Sequence, residues 1–283
     1  MIPESLAQYD FRHNLIADAD NPVLLQKAWR DHFAGQSFWQ PGKAGGKAYL
    51  GVANSEDALT WNVVRSLQLA GPDGLRILSD AAGLAPVATV LFWGCDVEGR
   101  SDVQQLLSIL LRTVDGQLKG TMTEPDLVLV TAEEVAFVEC KLNLNGMQSP
   151  WKVQQTSVNK ESGAVRRMKS YIRSGFTELD GMAEWEDIYQ LIRQYVYATR
   201  LAQVLGRRPA VIPLVNGDHI SVLQPLYARA QASSLNRDHI FRDILTWQTI
   251  AERVASSGLP CAATLRLKMT EAIEASRGRR TSA

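Results

Sequence analysis

Asp126, Glu139 and Lys141 are the residues of this chain whose types and spacing can do chemistry together. Two apolar runs, DLVLV and VAFVECKL, flank a polar turn, TAEE, and read as a β-hairpin. Side chains alternate across a strand, so Glu139 and Lys141 share one face of the second strand, while Val138 and Cys140 face the core. Asp126 opens the first strand just after Pro125. A short hairpin sets the start of one strand opposite the end of the other, so these three side chains meet at one end. Two carboxylates a few ångströms apart repel unless a cation lies between them. Oxygen ligands from Asp and Glu, with backbone carbonyls and water, suit Mg²⁺ or Mn²⁺. A lysine beside such an ion orients an attacking water or steadies negative charge building on a phosphate. Together these are the parts for hydrolysing a phosphodiester.

The elements around the hairpin must position that set. Upstream, NSEDALTWNVVRSLQLAG reads as a helix capped by Asn54 or Ser55 and ended by Gly71. Glu56, Thr60, Val63 and Leu67 form one stripe on it, so Glu56 starts the buried stripe and Asp57 points more toward solvent. APVATVLFWG reads as a buried strand, and SDVQQLLSILLRT as a helix capped by Ser101 or Asp102. After the hairpin come a loop and helix, then the helix WEDIYQLIRQYVYATRLAQVLG, the strand PAVIPLVN and a helical tail region. On the helix ending at Gly206, Ile192, Tyr195, Val196 and Thr199 mark the buried face, and Arg193 and Arg200 one solvent side. This order implies an α/β sandwich around a mixed sheet, its hairpin antiparallel and the later strand parallel to its neighbour.

Pro125-Asp126, then Glu139-x-Lys141, with Glu56 on an upstream helix, resembles the PD-(D/E)xK nuclease superfamily. The resemblance spans about residues 56–216. It implies a restriction-endonuclease-like mixed β-sheet core flanked by helices, here with a helical N-terminal extension. It makes Asp126 and Glu139 metal ligands, adds the Cys140 backbone carbonyl and Glu56, and makes Lys141 the catalytic lysine. The activity implied is a Mg²⁺- or Mn²⁺-dependent endonuclease cutting DNA, or RNA, to 5′-phosphate and 3′-hydroxyl ends, in defence against foreign DNA or DNA processing. Many members place a glutamine in the helix after the lysine strand, for which Gln148, Gln154 and Gln155 are the candidates. Glu124 and Asp57 are understudies to the acids.

Charge patterning points to the same partner. The chain has 283 residues, with 30 basic and 30 acidic side chains, so it is no generic polycation. Yet from Lys141 to Phe176 seven basic residues face one acid, and Thr177 to Ile188 carries five acids and no base. Lys152, Lys160, Arg166, Arg167, Lys169 and Arg173 are therefore the expected nucleic-acid contacts, with steep salt dependence. Trp151, Tyr171 and Trp185 could stack on bases, although core packing is the commoner use of such rings. The alternative reading is a noncatalytic nucleic-acid-binding or scaffold module that keeps the fold.

Other features are plainer. QPGKAGGKAYLG misses the phosphate-cradle pattern twice, at Pro41 and Ala48, and reads as a loop. Cys95, Cys140 and Cys261 are scattered, as are His13, His32, His219 and His239, so neither a zinc site nor a disulfide set is indicated. His219 reads as a loop residue. There is no secretion signal at the start, and no apolar run reaches the ~20 residues of a membrane span. A cytoplasmic protein is expected. Its organisation is read as an extension over 1–50, a nuclease-like domain over 51–276 and a basic tail over 277–283. A homodimer would suit a double-strand cutter, and specificity would then come from the extension or from a partner protein.

Overall fold

In the computed structural model of the chain, the described residues are 11–33, 49–51, 53–99, 101–115, 124–143, 171, 189–234 and 240–277. They fall into two compact units, one from both ends of the chain (1–78 and 248–283) and one from its middle (79–247).

The middle unit is α/β. Its open six-stranded sheet has the order β2-β1-β3-β4-β5-β6. The strands are β1 (Val87–Phe92), β2 (Cys95–Asp96), β3 (Leu127–Thr131), β4 (Glu134–Lys141), β5 (Arg208–Val215) and β6 (Leu245–Thr246). The β3–β4 hairpin is antiparallel, with Leu127 opposite Val138 and Val130 opposite Val135. Its turn is set by Thr131, whose Oγ1 accepts the backbone N–H groups of Glu133 (3.1 Å) and Glu134 (2.8 Å). Every residue of β3 and β4 is buried, which explains near-continuous apolar runs without alternation. β5 runs parallel to β4 over its full length, Glu134 facing Arg208 and Lys141 facing Val215. Arg208 and Asn216 donate to the β4 side and Val211 to the other, so Pro209 and Pro213 share Val211's parity. Their missing donors thus cost nothing at the β4 ladder. The expected parallel and antiparallel pairings both hold.

Helices α5 (Val103–Asp115), α6 (Tyr189–Leu205) and α7 (Ile220–Ser233) cover one sheet face. Leu107, Leu111, Val128, Phe137, Ile192, Tyr195, Val211 and Phe241 are part of the core there. Tyr195 stacks on Phe241 at 5.4 Å, and Tyr227 meets the same ring edge-on at 5.2 Å. Val135 and Phe137 belong to this core, so the period of a strand sends Glu139 and Lys141 to the same helix-covered face. At the turn end of β4, buried Glu134 pairs with Arg242 and, at 3.5 Å, with Arg208.

The unit formed by the chain ends is helical: α1 (Pro22–Phe33), α2 (Glu56–Thr60), α3 (Ser66–Leu69), most of α4 (Pro72–Ala82), α8 (Trp247–Ala255) after its first residue, and α9 (Ala262–Arg277). The single helix expected from Asn54 to Gly71 is interrupted by a π-helical turn, Trp61–Arg65. That turn has a structural cause. Asn62 accepts the Ile16 N–H and donates to the Asn14 carbonyl, both at 2.8 Å, while Trp61 donates to Ala17 and Arg65 pairs with Asp18. Four polar contacts from this one turn thereby hold residues 14–18. Ser55 caps α2 through the Ala58 N–H at 3.1 Å, as expected.

Candidate active site

Asp126, the residue before β3, is held twice. Its carbonyl accepts the Trp93 N–H at 3.1 Å, and its Oδ2 accepts the Cys140 N–H at 2.8 Å. Trp93 and Gly94 both have positive φ, 50° and 80°, as a two-residue turn between β1 and β2 demands. A tryptophan in that conformation is rare, and its amide is aimed at the site.

Lys141 Nζ lies 2.8 Å from Glu139 Oε1, 2.9 Å from the Cys140 carbonyl and 3.3 Å from Asp126 Oδ2. The three oxygens that the sequence offers as metal ligands thus converge on one ammonium. Lys141 is itself fixed through its backbone, whose carbonyl accepts from Asn216 N–H (3.1 Å) and Trp247 Nε1 (3.3 Å). His219, expected in a loop, is the buried last residue of a 3-10 helix (Gly217–His219), and its Nε2 lies 3.1 Å from the Leu142 carbonyl. Cys140 and Val138 are buried on the opposite face as read, but Glu139 and Lys141 share the face of Val135 and Phe137 in the helix-covered core rather than pointing away from a core.

Two side chains of α6 complete the cluster, and sequence reasoning missed both. Gln194 Nε2 donates to Glu139 Oε2 at 2.6 Å. Arg193 places a terminal nitrogen 4.0 Å from the same oxygen. The reading of Arg193 as a solvent-facing residue is corrected: only 2% of it is exposed, while Arg200 is exposed as expected. The buried surface of α6 is wider than its apolar stripe, because the helix lies against β4 and β5 and is covered nearly all round. A signal was present. Gln194 interrupts the apolar series Leu191, Ala198, Leu201, and Arg193 sits between Tyr189 and Tyr197 one turn either side.

Burial is the main force on Glu139 and pushes its carboxyl above the usual range; repulsion from Asp126 adds to this. Lys141 and then Arg193 pull in the opposite direction. On Arg193 the order is instructive: burial disfavours the charged guanidinium, yet Glu139 and three tyrosines outweigh it, and its pKa is raised. The formal charges of Asp126, Glu139, Lys141 and Arg193 cancel. Among the described residues, two buried atoms of the same two side chains, Arg193 Nε and Gln194 Oε1, have no hydrogen-bond partner.

The set fits a hard divalent cation in its donor chemistry, with two carboxylates and one carbonyl aimed at a single point. Among the described residues no group of three or more His, Cys, Asp or Glu side chains could hold a metal ion. Of the remaining expected residues, Glu56 is the partly buried first residue of α2, in the unit formed by the chain ends. Asp57 pairs with Lys27 at 3.5 Å. Lys152, Lys160, Arg166, Arg167, Lys169, Arg173, Gln148, Gln154, Gln155, Trp151 and Trp185 lie outside the described residues. Tyr171 is a core ring, packed between Tyr189 and Tyr197. Among the described residues no helix is long and apolar enough to cross a membrane.

No protein-family model, no curated protein and no solved structure matches the chain.

Proposed function

We propose that this chain is a Mg²⁺- or Mn²⁺-dependent nuclease with a restriction-endonuclease-like core, acting on DNA in defence or DNA processing. One observation carries the reading: two carboxylates and a backbone carbonyl converge within 3.3 Å of one lysine nitrogen at the end of a hairpin. Asp126, Glu139 and the Cys140 carbonyl would hold the ion, which when bound supplies a Lewis acid for the phosphoryl oxygen and a more acidic water. Gln194 fixes the Glu139 carboxylate so that Oε1 faces Lys141. Lys141 and then Arg193 oppose the burial that raises the pKa of that carboxyl. The Cys140 and Trp93 amides hold Asp126 in place. Lys141 donates to the attacking water or to the charge that grows on the phosphate. Water oxygen bonds to phosphorus, the bond to the 3′ oxygen breaks, and the water's proton ends on that leaving oxygen. The lysine-rich segment after β4 would carry the backbone of the nucleic acid, by charge alone.

The cancelled charges favour a second reading, a noncatalytic nucleic-acid-binding module in which lysine and arginine neutralise the two acids permanently. Supercoiled plasmid incubated with wild type and Lys141→Ala, with Mg²⁺, Mn²⁺ or EDTA, separates the two. The nuclease nicks or linearises plasmid only with metal and only with Lys141. Cutting that survives EDTA or the substitution removes the mechanism. Salt-sensitive DNA binding with no cleavage in any metal, unchanged by Asp126→Ala, supports the second reading.

A further inference from the structure

The position of Lys141 has a consequence for how an ion enters. An ammonium has three N–H bonds to give. Three oxygens lie in range, at 2.8, 2.9 and 3.3 Å, and each belongs to a group that the metal reading needs as a ligand. The same three oxygens cannot serve both cations. Magnesium takes its oxygens at about 2.0–2.1 Å, so to hold an ion in the amine's place they would have to close in by roughly 0.7–1.3 Å. Charge points the same way. The formal charges of Asp126, Glu139, Lys141 and Arg193 cancel, and Arg193, at 2% exposure, lies 4.0 Å from Glu139. Lys141, also buried at 7% side-chain exposure, is the cation that touches all three oxygens, and its four-carbon stem is flexible.

We propose that the Lys141 ammonium is the resident cation of the metal-free site, and that a divalent ion binds by expelling it. The inference rests on the metal-dependent reading of the same residues. It makes ion binding and the release of the lysine amine toward a reacting water a single exchange. It also makes Lys141 an opponent of metal binding in the resting protein, although the reaction requires it. The unbonded Gln194 Oε1 stays beside Glu139 throughout and accepts from a water that arrives with the ion.

Mn²⁺ binding to the full chain, followed without nucleic acid by electron paramagnetic resonance of the free ion, tests this directly. Lys141→Met keeps the stem and removes the charge, and it should bind Mn²⁺ on the order of tenfold tighter than wild type or more, because three charge-assisted hydrogen bonds no longer have to break. Lys141→Arg keeps a cation with donors and should bind no tighter than wild type. Should Lys141→Met bind equally or more weakly while wild type binds, the exchange is wrong and the metal-dependent reading stands. Absence of Mn²⁺ binding in both proteins removes both ideas. Where circular dichroism shows Lys141→Met unfolded, the wild type answers instead, through its ¹³Cε-labelled lysines. The resonance missing from Lys141→Arg must shift when Mg²⁺ is added. A stationary resonance at saturating Mg²⁺ overturns the exchange.

Discussion

Gln194→Leu isolates the contact that holds the candidate site together from outside the hairpin. Leucine has a similar bulk and a good helix propensity, so α6 loses a donor and little else. The lost bond is short, 2.6 Å, and joins a fully buried amide to a carboxylate with 1% exposure. A hydrogen bond to a charged group contributes about 1.5–3 kcal/mol, and here the surviving carboxylate oxygen is left buried without that donor. At about 2–4 °C per kcal/mol for a unit of this size, Tm falls by about 3–12 °C. A double-mutant cycle with Glu139→Gln assigns the loss to this contact rather than to packing. In the Glu139→Gln background the acceptor is neutral, so Gln194→Leu should cost about 1 kcal/mol or less. Urea unfolding followed by tryptophan fluorescence gives all four free energies. If Gln194→Leu costs the same in both backgrounds to within about 0.5 kcal/mol, the two residues are uncoupled and Gln194 does not position Glu139.

The acid limb of stability carries the signature of Glu139. Its folded pKa is raised above the ordinary 4.5 by burial and then by Asp126, so its contribution is full below pH 4.5 and is lost as pH rises through the raised value. Glu139→Gln should therefore lose less stability than wild type over that rise, and parallel urea midpoints across the range would show the carboxyl to be unperturbed. Tyr227 makes a second case, since its hydroxyl lies 3.0 Å from the Val211 carbonyl and 2.7 Å from that of Arg242, tying β5 to the segment before β6. Tyr227→Phe should cost about 1–2 kcal/mol in urea unfolding. Burial, and secondarily Asp243, holds the Tyr227 phenol well above 10, so wild type also loses stability as pH rises past 10 while the variant does not; an unchanged alkaline limb in Tyr227→Phe would count against that burial effect.

Much of the hairpin was legible before any coordinates. The TAEE turn, the shared face of Glu139 and Lys141 and the opposite face of Cys140 all follow from a period of two, and the parallel return of β5 follows from a crossover too long for a hairpin. Asp126 at the same end follows from hairpin length alone. Arg193 misled, because a charged residue on a half-apolar helix is ordinarily a solvated one. Only the helix's placement against β4 and β5 shows that its charge is spent on a buried carboxylate. Gln194 was visible as a break in an apolar stripe, yet nothing local to residue 194 names a partner 55 positions earlier.

Sequence by itself thus determined the hairpin and the meeting of two acids with one lysine, since these depend on contacts between near neighbours and on backbone geometry that every strand shares. Tertiary structure decided what neutralises the acids. Two carboxylates so close require a cation nearby, and folding supplied Lys141 within 3.3 Å of both and Arg193 4.0 Å from Glu139. It also decided that the two ends of the chain join in one unit and its middle in another. Both outcomes depend on where helices far apart in sequence come to rest, and that is fixed by packing over the whole sheet rather than by any local pattern.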